Sequence, residues 1–409
     1  MLLPARIRSS RSPSRRIAMT SALIAATLTA AAPSTAVLAQ APVAPAAPIV
    51  AAKSPDKSPG KAPAPAPRTA AAGDVVFPGK DWATNPPVAS AIPAEKVEEA
   101  MALLKTVLGK DGTSQTVVIH NGYMIWAGED IDNKHIIWSC TKSFMSTCFG
   151  LLWDDGKCAP DDLASKYLPE LAKDYPAVTV RHLATFTSGV KVPKDTIDFT
   201  EPDYPVGTAM HYSAQSDLLA RILTKIAGEP LQELFRRRIA EPIGMDPAQW
   251  EWKHVHIIDG VIVNGGAGHP TSGIHTNARN LARFGWLYAN GGNWNGRQLI
   301  SKRYIDFATR NKVDPALPPH DPKGWYTCLP GRYGFNWWTN GVDAKGEWLW
   351  PDVPASSFAA QGNRNNICII VPEWKLVLVR MGNDNGNVGK FNGPLKILGE
   401  AIPGNAPRK

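Results

Sequence analysis

The alternation of apolar and polar residues predicts a β-rich segment near each end of the chain. Two β-prone runs within residues 116–127 flank Asn121-Gly122, and an Asn-Gly pair readily takes the positive φ angles of a two-residue hairpin turn. Residues 367–381 contain two further apolar runs on either side of residues 372–375. Because these two runs are almost continuously apolar, we expect a sheet that is covered on both faces.

Helical periodicity accounts for much of the remaining chain. Apolar residues recur every three to four positions over residues 97–108, 218–226 and 281–288, and glycine closely follows each stretch. A closing helix is expected over residues 394–402. The pattern predicts an α+β fold: an antiparallel sheet built from both chain ends and flanked by helices, plus a mainly helical lobe between them.

The first 74 residues differ in composition from the rest. Residues 1–39 contain five arginines, an alanine-rich apolar stretch and small residues at Val37-Leu38-Ala39, which is typical of a cleaved export signal. The pair Arg15-Arg16 also fits a twin-arginine signal. Residues 40–74 are rich in alanine and proline and predict an extended, disordered linker.

We therefore expect one folded domain over residues 75–405. It would be periplasmic or secreted, after export by the Sec or the twin-arginine route, with no stable membrane span once the signal is cleaved. The alternative is an uncleaved membrane anchor, but the apolar stretch is short and rich in threonine for a span of about 20 residues.

The net charge of +8 comes entirely from the N-terminal segment. Up to Ala70 there are nine basic residues and one acidic residue, and the rest of the chain has 35 of each. Because the folded part is balanced, the basic composition does not indicate a nucleic-acid partner.

Cysteine and histidine usage predicts neither a disulfide framework nor a metal cofactor. The five cysteines are odd in number and follow no metal-binding spacing, which leaves one bridged pair open. His254 and His256 would share one face of a strand, but no third ligand cluster follows them in sequence.

The run Ser139-Cys140-Thr141-Lys142 precedes a segment that can form an amphipathic helix. Ser139 and Lys142, three residues apart, would share a helix face, and the positive end of the helix would favour a serine alkoxide. The backbone N–H of Ser139 would be placed to bind an oxyanion, and a desolvated lysine can accept the serine proton. The alternative is a serine N-cap with an exposed lysine, and the tetrapeptide alone favours that alternative.

Further segments favour the catalytic interpretation of Ser139 over the N-cap, because they occur in the order typical of one superfamily. They are Thr141 to Phe144, Val180 to Val190, Pro205 to Ser213, Gly273 to Gly296, Tyr333 to Trp338 and Gly362 to Arg380. Together they resemble the serine β-lactamase and penicillin-binding protein superfamily, in particular its class C-like branch of family VIII esterases and 6-aminohexanoate-dimer hydrolases. The resemblance extends over residues 95–400.

The resemblance implies a catalytic role for three residues. Ser139 would be the nucleophile that accepts the acyl group, and Lys142 would be its proton partner. Tyr212 would act as general base or proton shuttle, with the positive field of the lysine helping a phenol whose usual pKa is about 10. The alternative for Tyr212 is a structural aromatic residue at the start of a helix.

The resemblance also implies where substrate binds. Ala360-Gln361-Gly362 matches the third motif, which would lie on an edge strand beside the nucleophile. The backbone N–H groups of Ser139 and Asn363 would form the oxyanion hole.

Two departures from the superfamily pattern narrow the expected substrate. Ala214 stands where β-lactamases have asparagine, and Ala360 stands where they have lysine, so two polar anchors for penicillin-like substrates are lost. We expect an ester or amide of a small molecule as substrate. The alternatives are a β-lactamase or D-Ala-D-Ala carboxypeptidase, or a non-catalytic penicillin-binding-like envelope protein.

Two residues near the predicted site are open to a functional and a structural interpretation. Arg364 would either replace a lost anchor or be a solvated loop residue, and the second interpretation is favoured. Cys140 is interpreted as a small buried residue rather than as a second nucleophile.

Overall fold

A computed structural model describes residues 75–86, 88, 91–191, 201–212, 216–258, 260–266, 272–324, 329–384 and 388–405. The predicted signal, residues 1–39, and the predicted linker, residues 40–74, lie outside these residues. The α-helices are α1 (Ala94–Val107), α2 (Thr141–Asp154), α3 (Val180–Ala184), α4 (Ser216–Ala227), α5 (Leu231–Phe235), α6 (Ala278–Ala289), α7 (Lys302–Ala308) and α8 (Asn392–Glu400). The strands are β1 (Gln115–His120), β2 (Tyr123–Ala127), β3 (His135–Ile136), β4 (Trp250–Ile258), β5 (Val261–Asn264), β6 (Gly273–Thr276), β7 (Asn293–Trp294), β8 (Arg297–Gln298), β9 (Trp338–Thr339), β10 (Phe358–Gly362), β11 (Asn366–Val371) and β12 (Leu376–Met381).

The main sheet is antiparallel and six-stranded, in the order β2-β1-β12-β11-β10-β9. Both predicted hairpins are confirmed. Asn121 and Gly122 take φ angles of 53° and 87° between β1 and β2, while Lys375 takes 48° between β11 and β12. The two hairpins join at the centre of the sheet, where β1 pairs with β12 from Gln115↔Met381 to His120↔Leu376.

Each face of this sheet packs against its own hydrophobic layer. Because side chains alternate along a strand, Val117 and Ile119 join the layer that contains α2 and α6, whereas Val118 joins the layer of α1 and α8. All residues of β1, β11 and β12 are buried. The expectation of a sheet covered on both faces is therefore confirmed, as is the α+β fold class.

A smaller sheet supports the segment that leads into α2. Its strand order is β3-β6-β4-β5, and β3 pairs with β6 through His135↔Thr276. Directly after β3, the Ile137 N–H donates to the Ile274 carbonyl at 2.9 Å. The second sheet thus fixes the chain two residues before Ser139.

Helix α2 is not amphipathic, which corrects the sequence prediction. Every residue from Thr141 to Leu152 is buried. Its polar side chains are satisfied inside the protein: Ser143 Oγ donates to the Asn336 carbonyl at 3.0 Å, and Ser146 Oγ donates to the Phe335 carbonyl at 2.6 Å. The helix has neighbours on all sides and is a central element rather than a surface one.

The remaining predicted helices are confirmed as α1, α4, α6 and α8. Gly228 follows α4 with φ of 72°, as expected for a glycine at a helix C-terminus. Within the part of the chain that the structure describes, no helix has the length and apolar character needed to cross a membrane.

Candidate active site

The nucleophile candidate lies in a tight turn in front of α2. Residues Trp138–Cys140 form a 3₁₀ turn, and Trp138 has φ of 50°, a left-handed conformation that is rare for a bulky residue. The Cys140 N–H donates to the Ile137 carbonyl at 3.2 Å and closes the turn. The turn presents the half-buried Ser139 at the start of the helix.

Lys142 and Ser139 are brought together as predicted. Lys142 Nζ is hydrogen-bonded to Ser139 Oγ at 2.8 Å, and the lysine side chain is 1% exposed. Burial lowers the Lys142 pKa to about 7, against the smaller opposing effect of the Asp217 carboxylate. The N-cap of α2 is Cys140, and no side chain caps it. The alternative of a serine cap with an exposed lysine is therefore wrong.

Tyr212 completes a three-residue cluster. Lys142 Nζ lies 5.1 Å from the centroid of the Tyr212 ring. Burial raises the Tyr212 pKa to about 12, and hydrogen bonding with Ser139 offsets part of that rise. The net shift of the Tyr212 pKa is therefore upward and not the expected reduction by the lysine charge, and a lysine with a pKa of about 7 is only about half protonated at pH 7.

Aromatic residues hold the Tyr212 ring in place. Phe186 packs edge-on against it at a centroid distance of 5.0 Å, Tyr333 at 5.8 Å and Trp338 at 6.3 Å. Sequence reasoning did not identify these contacts. The available signal was only that Phe186 and Tyr333 lie in two of the segments that resemble the superfamily, and which side chains meet is decided by tertiary packing.

Strand β10 brings the third motif to the nucleophile, although β10 is not the edge strand that was predicted. Strand β9 pairs with Phe358 and Ala359, the first two residues of β10. Beyond β9, Gly362 faces the 3₁₀ turn so closely that a Cβ on it would lie 3.0 Å from Ser139 N. The turn therefore occupies the position that a longer neighbouring strand would fill.

The three residues of the third motif have different surroundings. Ala360 is fully buried and belongs to the hydrophobic layer of α2 and α6. Gln361 is half-buried, and Asn363 is exposed directly after the strand. The substrate-binding role predicted for Ala360, Gln361 and Gly362 stays a prediction, as does the oxyanion-hole role of the Ser139 and Asn363 backbone. Ala214 lies outside the described residues.

The hairpin tip after β10 reaches the residue before the nucleophile. Arg364 and Asn365 take φ angles of 60° and 58°, as in a type I′ turn. The exposed Arg364 guanidinium stacks 5.5 Å from the centroid of the Trp138 ring and donates to Asn383 Oδ1 at 3.2 Å. Sequence reasoning placed Arg364 on a solvated loop, which is confirmed, but missed its contact with Trp138.

Cys140 is a buried packing residue, as interpreted from the sequence. Its thiol donates to the Asn366 carbonyl at 3.2 Å, and burial raises its pKa, which disfavours a thiolate.

Among the described cysteines, Cys140, Cys148, Cys158 and Cys368 are free thiols. Cys328 lies outside the described residues.

Comparisons with known proteins agree with this geometry. The family described as Beta-lactamase matches residues 114–398. A 6-aminohexanoate-dimer hydrolase of Paenarthrobacter ureafaciens is 25% identical over 273 residues, which cover 56% of this chain and 66% of that protein. A beta-lactamase of Escherichia coli K12 is 27% identical over 213 residues, which cover 42% of this chain and 55% of that protein. The chain thus spans less than two thirds of the length of either relative.

A solved structure shares the fold. The crystal structure of a penicillin-binding protein homologue from Caulobacter crescentus superposes with a TM-score of 0.57 and 17% identity, covering 76% of this chain and 98% of the other.

Proposed function

We propose that this chain, which belongs to the beta-lactamase family, is a serine hydrolase that cleaves an ester or amide bond through an acyl-enzyme on Ser139. The observation that carries the proposal is the 2.8 Å hydrogen bond between Ser139 Oγ and the buried Lys142 Nζ. With a pKa of about 7, about half of the Lys142 side chains are neutral and able to accept a proton at pH 7, whereas an exposed lysine is almost entirely protonated.

The proposed acylation step uses Lys142 as the base. Ser139 Oγ attacks the substrate carbonyl carbon while its proton passes to Lys142 Nζ. The carbonyl oxygen becomes an oxyanion, which the backbone N–H groups of Ser139 and Asn363 would stabilise. Tyr212, protonated because its pKa is about 12, then donates its hydroxyl proton to the leaving group and recovers a proton from Lys142.

Deacylation repeats the same steps with water. A water molecule gives up a proton to the same base and attacks the acyl carbonyl, and the Ser139 oxygen leaves as the hydroxyl. In each half Lys142 passes on the proton that it accepts, first to the leaving group by way of Tyr212 and then from water to the departing Ser139 oxygen, so no further reactant is needed.

An ester or amide is favoured over a lactam for a chemical reason. Ala360 carries no positive charge to pair with the carboxylate of a penicillin-like substrate, and its side chain lies in the core. The relative named 6-aminohexanoate-dimer hydrolase supports hydrolase activity, and the relative named beta-lactamase keeps the lactam as the second candidate.

A substrate panel tests the proposal. Purified protein would be assayed with p-nitrophenyl acetate and butyrate, with linear amides and with nitrocefin, alongside the variant Ser139→Ala. We expect the unmodified protein to turn over an ester or amide, and Ser139→Ala to lose this activity. Little or no turnover of nitrocefin is expected. The control is Ser356→Ala, which removes an exposed hydroxyl that donates to Glu373 and should behave like the unmodified protein.

Covalent labelling with a fluorophosphonate gives a second measure of the same residue. Labelling that is lost in Ser139→Ala supports the acyl-enzyme, and undiminished labelling in that variant contradicts it. Absence of turnover and of labelling would favour a non-catalytic, penicillin-binding-like envelope protein instead.

We further propose that the protein acts outside the cytoplasm. This rests on the arginine-rich and apolar composition of residues 1–39. Cell fractionation of the full chain and of a variant with Arg15-Arg16 replaced by lysines would separate twin-arginine export from Sec export.

A further inference from the structure

A cluster of one carboxylate and two imidazoles lies directly beside Tyr212. Asp203, His211 and His320 each offer one ligand atom, and these atoms lie within 4.8 Å of one another. His211 is the residue before Tyr212 in sequence. The proposed hydrolytic steps use none of the three side chains.

Main-chain hydrogen bonds fix the two segments that carry the imidazoles. The His320 N–H donates to the Met210 carbonyl at 2.8 Å, and the Met210 N–H donates to the Pro318 carbonyl at 3.0 Å. The His211 N–H donates to the Phe186 carbonyl at 2.8 Å. The positions of the two histidines therefore do not depend on interactions between their side chains.

The imidazole rings are held in parallel. The rings of His211 and His320 stack with a centroid distance of 4.8 Å and an interplanar angle of 29°. The Tyr204 ring packs against His320 with a centroid distance of 4.9 Å. The Asp203 N–H donates to the Gly189 carbonyl at 2.9 Å, which anchors the third member.

A cation already contacts the cluster in this structure. Lys191 Nζ lies 3.4 Å from Asp203 Oδ1, and the Lys191 side chain is 57% exposed. This lysine can move into solvent when another cation takes its place.

We propose that Asp203, His211 and His320 form a binding site for a divalent transition-metal cation, with Zn²⁺ as the best match. Two imidazole nitrogens and one carboxylate oxygen are common zinc ligands, and water would complete a tetrahedral site. Ligand distances of about 2.1 Å require these atoms to lie about 3.4 Å apart, so they need to approach by a little over about 1 Å. Small rotations of the Asp203, His211 and His320 side chains would all be needed to close that distance.

A metal at this site would cross-link the segment that ends at the proposed catalytic tyrosine to a second segment, distant in sequence. It would join the segment of residues 201–212 to that of residues 317–324, in addition to their main-chain hydrogen bonds. The bound ion is not part of the Ser139 reaction. Its effect is to stabilise the folded state by RT ln(1 + c/Kd), where c is the zinc concentration, which grows with the logarithm of c above the dissociation constant Kd.

Isothermal titration of untagged full-length protein with ZnCl₂ tests the site, after removal of metal with a chelator. We expect saturation at one ion per chain and a rise in melting temperature with added zinc. His320→Ala and Asp203→Asn should each weaken binding by about tenfold or more. His254→Ala, which removes an exposed histidine on β4, should bind like the unmodified protein.

Two outcomes would overturn the proposal. One is a titration of the unmodified protein with no saturable binding at one ion per chain. The other is unchanged affinity in both His320→Ala and Asp203→Asn. Since Asp203 is exposed, Asp203→Asn should fold, and its circular dichroism spectrum verifies that a loss of binding is not a loss of structure.

Discussion

Gly362 lies so close to Ile137 that a Cβ at position 362 would stand 2.1 Å from the Ile137 carbonyl oxygen. The same Cβ would stand 3.0 Å from Ser139 N and 3.1 Å from Cys140 N. Backbone atoms cannot move aside as a flexible side chain can. The end of β10 and the turn that carries the nucleophile are therefore in direct main-chain contact, and this contact requires glycine.

Gly362→Ala should consequently displace Ser139 and lower kcat/KM for the best substrate by about a hundredfold or more. Gly79→Ala is the matched control, because a Cβ at position 79 meets nothing within 4 Å. Steady-state kinetics of both variants, with circular dichroism to verify folding, measure the effect. Activity of Gly362→Ala close to that of Gly79→Ala would show that the contact does not position the nucleophile.

The activity should depend on pH through Lys142. With a pKa of about 7, Lys142 is protonated and unable to act as base below that pH, and it becomes neutral above it. We expect kcat/KM for an ester substrate to rise through about pH 7 and then reach a plateau. A pH profile that is flat between about pH 5.5 and 8.5 would argue against Lys142 as the base.

Replacement of Asp217 gives an internal check on that assignment. The Asp217 carboxylate raises the Lys142 pKa, so Asp217→Asn should move the rising limb to lower pH. A titrating group far from Asp217 would not shift with this substitution.

Lys142 should contribute to activity but reduce the stability of the folded protein. In the unfolded chain this lysine has a pKa near 10.5, whereas burial lowers it to about 7 in the folded protein. Between these values the unfolded state binds more protons, so this group makes stability rise with pH across that window. Below about pH 7 the burial of Lys142 lowers the free energy of unfolding by its full, constant amount.

Lys142→Met should therefore raise the melting temperature, most strongly at pH 7 and below, and the gain should shrink towards about pH 10. The same variant should be inactive. Differential scanning calorimetry across this range measures the effect, with Lys323→Met, an exposed site, as control. A melting temperature that falls equally at every pH would mean that the lysine contributes by packing alone.

Tyr212→Phe separates proton transfer from packing. The phenylalanine ring can keep the contacts of Tyr212 with Phe186, Tyr333 and Trp338, but it has no hydroxyl. We expect kcat to fall by about a hundredfold or more, with little change in KM or melting temperature. Tyr175→Phe, at another buried tyrosine, should leave kcat unchanged. An equal loss in both variants would point to a general effect on the fold.

The fold was largely predictable because its strongest signals are local. Asn121-Gly122 marks one hairpin, the runs around Lys375 mark the other, and helices such as α4 end at glycines. The surroundings of α2 were not predictable in this way. Its serines and threonines suggested a solvent face, yet groups distant in sequence, such as the Asn336 carbonyl, satisfy them inside the core.

The candidate site was predictable at the level of residues rather than of environment. Ser139 and Lys142 are neighbours on one turn, so their spacing in sequence indicates their contact. The raised Tyr212 pKa depends on burial by tertiary packing, which sequence spacing does not report. The positive φ of Trp138 has no local sequence signal, because a bulky residue rarely takes this conformation.

The pairing of β1 with β12 has a consequence for biosynthesis. Residues 115–120 find their partners only at residues 376–381, and the turn that presents Ser139 is held by β10, which lies almost as far along the chain. A chain still emerging from the ribosome has made Ser139 long before it has made either strand. The nucleophile turn therefore lacks its supporting strands, and the hydrolase cannot be active, until synthesis is nearly complete. Folding also depends on contacts between residues that are far apart in sequence, which slows it.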